Sequence, residues 1–270
     1  MEKEIITSAQ NPRIKHLLLL QQKSSERRKC GLFVVEGQRE LLHCLNAGYE
    51  IATLYCCPGI AGESELDGFF ASIPNGCRNI PCINICKALY EKVAYRGTTE
   101  GVIAEIRACR NTLENLSLPE NPLVIVLESV EKPGNLGAVL RSADAAKADA
   151  VIVCDPLTDL FNPNLIRSSI GAVFTVPTVA CTSEECISFL KRHGIQILTA
   201  QLQDSRLYYD TPMTGGTAIV MGTESTGLTS QWREAADAHI RIPMLGELDS
   251  LNVSVSAAIL MFEAVRQRAL

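Results

Sequence analysis

The chain has 270 residues, 47% of them hydrophobic and 20% charged, with a formal net charge of −5. That composition excludes a disordered or fibrous chain, and no apolar run approaches the ~20 residues that span a bilayer. The acidity argues against whole-molecule attraction to nucleic acid or anionic lipid, so any such contact has to come from a local patch.

The amino-terminal stretch lacks the apolar core of a signal peptide, which makes the cytoplasm the expected compartment. Residues 14–22 have helical spacing, and their run of four leucines needs a surface to pack against. Around this helix Arg13, Lys15, Lys23, Arg27, Arg28 and Lys29 face Glu26 alone, a basic cluster that suits phosphate or forms a solvated face. A strand is predicted over 32–36 and a helix over 38–47, ending at Gly48. Strands follow at 53–57, 80–83 and 101–107, with a helix at 85–93. This is a small α/β domain. The first 121 residues hold 14 basic and 14 acidic side chains, so the whole negative balance falls on the remainder.

A polar stretch with two prolines, 111–122, separates the halves. The reading assigns 1–112 to one domain, 113–121 to a linker and 122–270 to a second domain. In the second, strands are predicted at 123–127, 150–154, 173–176, 195–200, 217–221 and 239–242. Helices are predicted at 135–146, 165–169, 183–193 and 230–236, with a last one running through Val253 and Val265. Strands alternating with helices mean a mostly parallel sheet covered on both faces.

Eleven cysteines at irregular spacing, none in a Cys-x-x-Cys pair, read as small buried hydrophobes in a reducing compartment. The four histidines are scattered, and no metal site is expected.

In parallel sheets ligands sit beyond the carboxyl ends of the strands. Three loops there carry chemistry. After the strand at 123–127 come Gly134, Asn135 and Gly137, and then a helix carrying Arg141. After 217–221 comes Gly222-Thr-Glu-Ser-Thr-Gly227, with Glu224 at its centre. After 239–242 comes a loop leading to Ser250-Leu-Asn-Val-Ser-Val-Ser256. Each loop taken alone reads as a turn or a helix cap. The first, with Asp155 ending the next strand, also resembles half of a dinucleotide fingerprint, so a nicotinamide-dependent dehydrogenase is a rival reading.

In these ordered motifs, Pro133-Gly-Asn-Leu-Gly-Ala-Val-Leu-Arg141, Met221-Gly-Thr-Glu-Ser-Thr-Gly-Leu228, and Ile242-Pro-Met244 with Ser250–Ser256, the chain resembles the SpoU (TrmH-like) family of RNA ribose methyltransferases. The resemblance spans 123–270. The first half is similar to that family's ribosomal-protein-like substrate-binding domain, through Phe33–Gly37 and Thr98–Ile103. Some positions depart from the family's usual pattern: Asp or His is common near Lys132–Pro133, glycine at Ser129 and within 146–148, and Gly-Asn-Glu-Gly where Gly222-Thr-Glu-Ser stands.

The resemblance implies an α/β chain of the SPOUT class with a deep trefoil knot in its second domain. It also implies a homodimer with no membrane partner, binding S-adenosylmethionine. The expected reaction is methyl transfer to a ribose 2′-hydroxyl of structured RNA. Ribosomal RNA is the first expectation; transfer RNA, or an inactive RNA-binding relative, is the alternative. Carried onto this chain, the catalytic set is Asn135, Arg141, Glu224, Ser250 and Asn252, and the cofactor set is Thr199, Ala200, Gly222, Ile242 and Leu251. Arg141 would serve either as a base or as a clamp on the neighbouring phosphate. A guanidinium pKa above ~12 counts against the first role.

Overall fold

In the computed structural model, residues 5–74, 80–95, 100–109, 111–223 and 226–269 are described. In chain order the first elements are β1 (Ile5–Ile6), α1 (Pro12–Gln22), α2 (Ser24–Cys30), β2 (Leu32–Glu36), α3 (Gln38–Asn46), β3 (Ile51–Cys56), α4 (Pro58–Ala61), α5 (Glu63–Ser72), β4 (Cys82–Ile85), α6 (Lys87–Val93) and β5 (Val102–Arg107). There follow β6 (Leu123–Glu128), α7 (Pro133–Ala145), β7 (Ala150–Cys154), α8 (Pro163–Ser168), α9 (Ala172–Thr175), β8 (Thr178–Cys181) and α10 (Ser183–Arg192). The chain closes with β9 (Gln196–Ala200), β10 (Arg206–Leu207), β11 (Thr217–Met221), α11 (Ser230–Ala235), β12 (Ala238–Arg241) and α12 (Val253–Arg268).

These elements form two compact units, Met1–Arg110 with Phe161–Thr175, and Asn111–Leu160 with Val176–Leu270. The first holds a five-stranded mixed sheet in the order β1-β4-β3-β5-β2. Asn11 caps α1 by accepting from Arg13 N at 2.9 Å, Pro12 opens the helix, and Ile14, Leu17 and Leu20 are buried against Val34, Tyr55 and Tyr90. The leucine run thus finds its surface. Arg27 is no part of a basic face. It is buried, and its Nη1 donates to the carbonyls of Leu20 at 2.6 Å and Gln21 at 3.2 Å, satisfying the end of α1.

Two expectations about the boundary need correction. The stretch 113–121 is not a bare linker, because Leu113 is buried in the second unit's core with Leu116 and Leu118 packed beside it. Phe161–Thr175, read as part of the second domain, belongs to the first unit. Phe161 stacks on Phe33 with ring centroids 4.2 Å apart, and Phe174 meets Tyr49 edge-on at 5.4 Å. The strand predicted at 173–176 is the short helix α9, and the strand itself starts beyond Pro177. Gly171, at φ +81°, turns the chain where a Cβ would come 3.1 Å from the His43 ring. That turn overrides the strand preference of the β-branched residues.

The second unit holds a seven-stranded sheet in the order β10-β12-β9-β11-β6-β7-β8, and every pairing in it is parallel. Its central strands β6, β7 and β11 are buried along their whole length, as continuous apolar runs demand. α10 begins in a capping box between Thr182 and Glu185. α7 packs along α12. α7 ends in a Schellman motif, Ala148 N donating to Ala143 O at 2.8 Å and Lys147 N to Asp144 O at 3.1 Å, with Lys147 left-handed at φ +53°. Ser129 is left-handed too, at φ +52°. Among the described residues no helix is long and apolar enough to cross a membrane.

Candidate functional site

The loops leaving the carboxyl ends of β9, β11 and β12 enclose a cavity of about 480 Å³ in the second unit, floored by α12 through Val253 and Leu260. Four of the five predicted cofactor residues, Ala200, Gly222, Ile242 and Leu251, line it, as does Ser250. Thr199 does not. It is fully buried one residue short of the cavity, with Oγ1 2.6 Å from His239 Nδ1.

Gly222 is required by the loop's own backbone. A Cβ there would stand 2.3 Å from both C and O of Gly227 and 2.6 Å from Leu228 N. The loop closes through Gly227 N donating to Thr223 O at 3.1 Å and through Thr223 and Thr226 hydroxyls 2.7 Å apart. Glu224, predicted to act here, lies outside the described residues.

Gln201, which sequence reasoning did not single out, also lines the cavity. Its Nε2 donates to Gln203 O at 3.0 Å, while Oε1 is buried with no hydrogen-bond partner. An orphaned buried acceptor is costly, and a ligand N–H would satisfy it. The cavity's two arginines are already engaged. Arg233 donates from Nη2 to Leu228 O at 2.9 Å, and Arg241 Nη1 donates to Ser205 O. Strand ends had pointed to the place, but no sequence signal marks Gln201.

Asn135 and Asn252 come together. Asn252 caps α12, its Oδ1 accepting from Ser254 N at 3.0 Å and Ser254 Oγ at 2.6 Å, while its Nδ2 donates to Asn135 Oδ1 at 3.2 Å. Ser250 Oγ donates to Asp249 Oδ1 at 3.2 Å. Arg141 is exposed on α7, about 9 Å along the helix axis from Asn135. Among the described residues its side chain makes no hydrogen bond or ion pair, so its fork is available to an anion.

A polar network centres on the buried side chains of Glu128, Ser183 and Trp232. Glu128 accepts from Thr229 N at 2.9 Å and Thr229 Oγ1 at 2.7 Å, and Ser183 Oγ, which takes the Trp232 indole N–H at 3.0 Å, donates to Asp155 Oδ2 at 2.6 Å. Asp155 also accepts from Ser183 N at 3.2 Å. Its Oδ2 therefore serves the start of α10, a helix-holding role that accounts for the acid without a nucleotide.

The cysteines are not all inert filler. Cys154, Cys181 and Cys186 bring their sulfurs within 4.8 Å of one another. Hydrogen bonds from the Cys154 and Cys186 thiols pull the Cys181 thiol down, to about 5, and the bond to Cys181 drives Cys154 up.

A model of the SpoU rRNA Methylase family matches residues 122–262, and a model of the MRM3-like substrate binding domain matches residues 11–104. The chain is 30% identical over 95% of its length to the 23S rRNA (guanosine(2553)-2′-O)-methyltransferase RlmP of Bacillus subtilis (strain 168), covering 97% of that protein. It is 38% identical over 67% of its length to a 23S rRNA (guanosine-2′-O-)-methyltransferase RlmB of Vibrio parahaemolyticus, covering 76% of it. It superposes with a TM-score of 0.87 and 26% identity on the AdoMet-bound rRNA methyltransferase of Sinorhizobium meliloti, over 97% of each chain.

Proposed function

The chain belongs to the SpoU rRNA methylase family, and from that premise we propose that it transfers a methyl group from S-adenosylmethionine to the 2′-hydroxyl of a ribose in structured RNA. Ribosomal RNA is the substrate class. The relatives named for guanosines of 23S rRNA favour a guanosine of the large ribosomal RNA as the target. The observation that carries the reading is the convergence of the β9, β11 and β12 loops on one cavity of about 480 Å³, within the size of small-molecule sites.

The residues present fit the cofactor. Ile242, Leu251 and Leu260 offer apolar surface, Gly222 lets backbone close on backbone, and Gln201 Oε1 awaits an amino donor of the kind S-adenosylmethionine carries. When bound, the cofactor supplies an electrophilic methyl on a sulfonium. The protein's part is to deliver the hydroxyl and to manage its proton. A ribose hydroxyl is a weak nucleophile, so alignment supplies much of the rate. Arg141 would grip the neighbouring phosphate bidentately and stabilise the developing alkoxide, with proton loss to that phosphate or to water. Asn135 and Asn252 would fix the ribose side of the site. Ser250 and Glu224 would shape the adjoining loops.

A deep trefoil knot belongs to this proposal. It is supported by β12, which follows β11 in the chain yet lies beyond β9 in the sheet, so the chain crosses back before entering the loop that lines the cavity. A homodimer belongs to it as well. Leu245 and Leu248 in that loop, and Val255 and Phe262 seven residues apart on α12, stand exposed and would be covered by a second copy. Cytoplasmic residence accords with the absence of disulfides among the ten described cysteines.

The test is methylation of ribosomal RNA from a strain lacking the gene, using purified protein and methyl-labelled cofactor, followed by mapping of 2′-O-methyl positions. One new methylated ribose, present in the wild-type strain and missing in the deletion, is expected. No incorporation into either ribosomal or transfer RNA, with cofactor binding intact, would leave an RNA-binding relative instead.

A further inference from the structure

Cys154 ends β7 and Cys181 ends β8, and the two are register partners across that parallel pair. Cys186 sits in the first turns of α10, which packs over them. Three separate elements therefore aim a sulfur at one point on the face of the sheet that carries α10 and α11. Filling space in a core asks only for small apolar side chains, and alanine or valine would serve. Cys154 and Cys186 do belong to the hydrophobic core, with Cys181 packed against it, but three sulfurs within 4.8 Å of one another also have the placement of a ligand set.

We propose that Cys154, Cys181 and Cys186 form a three-sulfur site for a soft, thiophilic metal ion of the Cu(I) or Zn(II) type. Metal–sulfur bonds of about 2.3 Å around a shared ion put the sulfurs near 3.8 Å apart, so the three need to close in by at most about an ångström. Thiolates select soft ions over Mg(II) or Ca(II). Among the described residues no histidine, carboxylate or fourth cysteine joins the three within that radius. A closed structural zinc site takes four protein ligands, so trigonal Cu(I) is the better match and Zn(II) would keep a water. Cys154 and Cys186 are buried, whereas Cys181 is half-buried and offers the way in. Binding displaces the thiol protons to solvent, so uptake strengthens as pH rises. The site is separate from the methyl-transfer cavity and does not depend on that reading. It also departs from the sequence expectation of no metal, because the three cysteines are far from any zinc-binding spacing.

The test uses the reduced full-length protein under anaerobic conditions, titrated with Cu(I) against a chromophoric Cu(I) chelator and, in parallel, with Zn(II) against a chromophoric Zn(II) chelator. One equivalent of one of the two ions is expected to be held by the wild type. In Cys181→Ser, which removes a ligand outright and not merely a supporting partner, the affinity falls by at least ~100-fold. Cys181 is chosen because its half-buried position makes serine tolerable, with thermal unfolding as the check on folding. Cys186→Ala gives a second route to the same loss, and Cys109→Ser, at an exposed cysteine, should keep the site. Bound metal should also slow alkylation of Cys181 in peptide mapping. Equal uptake by wild type and Cys181→Ser, or no stoichiometric uptake of either ion, would overturn the proposal.

Discussion

Asn252 and Asn135 are 117 residues apart in the chain and are joined by a side-chain hydrogen bond of 3.2 Å, Asn252 Nδ2 donating. The bond ties the start of α12 to the first turn of α7. Its two functions separate in Asn252→Asp. Aspartate keeps the acceptor that caps α12 and suits the positive end of a helix, but it has no N–H to give Asn135. Stability by chemical denaturation should stay within about 0.5 kcal/mol of wild type, while methyl transfer drops by roughly ten-fold or more. Asn252→Ala should lose the cap as well, at a cost of about 1 kcal/mol. Full activity in both the aspartate and the alanine variant would show that the bond does not position the site, since the Asn135 amide can turn over and donate to an aspartate but has nothing to bond in alanine.

Arg141→Ala is expected to abolish methyl transfer with cofactor affinity nearly unchanged, since Arg141 is not among the cavity's lining residues. Arg141→Lys separates the two roles. A phosphate clamp loses its fork and should lose roughly two orders of magnitude. A base should retain activity that climbs with pH, because lysine deprotonates more readily. Steady-state rates across a pH series distinguish the outcomes.

Gly222→Ala places a methyl 2.3 Å from the Gly227 carbonyl carbon, so the loop has to open. The fold should survive, since the displaced atoms are loop backbone beyond the end of β11. S-adenosylmethionine binding measured by calorimetry should weaken by about ten-fold or more, equivalent to ~1.4 kcal/mol. Unaltered affinity would place the cofactor elsewhere.

Lys147→Gly should stabilise the protein. Lys147 occupies the left-handed position of the Schellman motif that ends α7, where a Cβ costs about 1 kcal/mol and glycine costs nothing. Its side chain is exposed, so little is lost with it. A rise of roughly 0.5–1 kcal/mol in unfolding free energy is expected; a fall would mean that the lysine makes compensating contacts.

Arg13, Lys15, Arg28 and Lys29 are exposed around α1 and α2 and are free of the structural duty that Arg27 performs. Replacing all four with alanine while sparing Arg27 should weaken RNA binding and flatten its dependence on log salt by about 0.7–0.9 per lost phosphate contact. Cofactor binding should not change. A salt slope equal to wild type would make this cluster a solvated face.

The sheet of the second unit was readable because fully buried parallel strands are unbroken apolar runs, as at Val124–Leu127 and Ala218–Met221. The cavity was readable because strand ends and glycines mark where a loop turns. What could not be read were meetings between distant side chains. Nothing local says that Asn252 reaches Asn135, that Ser183 takes up Asp155, or that three irregularly spaced cysteines share one point. Arg27 looked like its neighbours because charge alone does not reveal a guanidinium folded back onto helix-end carbonyls. Val173–Val176 reads as a strand because propensity is the only local signal, while the Gly171 turn and the burial of Phe174 beside Phe33 and Tyr49 together set the conformation.

The return of Phe161–Thr175 to the first unit governs the order in which the protein can be made. Phe33 and Tyr49 cannot be covered until residue 175 has been synthesised, some 65 residues after the rest of that unit is complete. At ~5–20 residues per second this is a wait of about 3–13 s, with an aromatic surface bare on a nascent chain. The interval is one in which a chaperone would find a grip. A fragment starting at residue 122 would carry Phe161 and Phe174 without their partners. It would be prone to aggregation for reasons unrelated to its cofactor site, and a soluble excised version would need those two aromatics replaced.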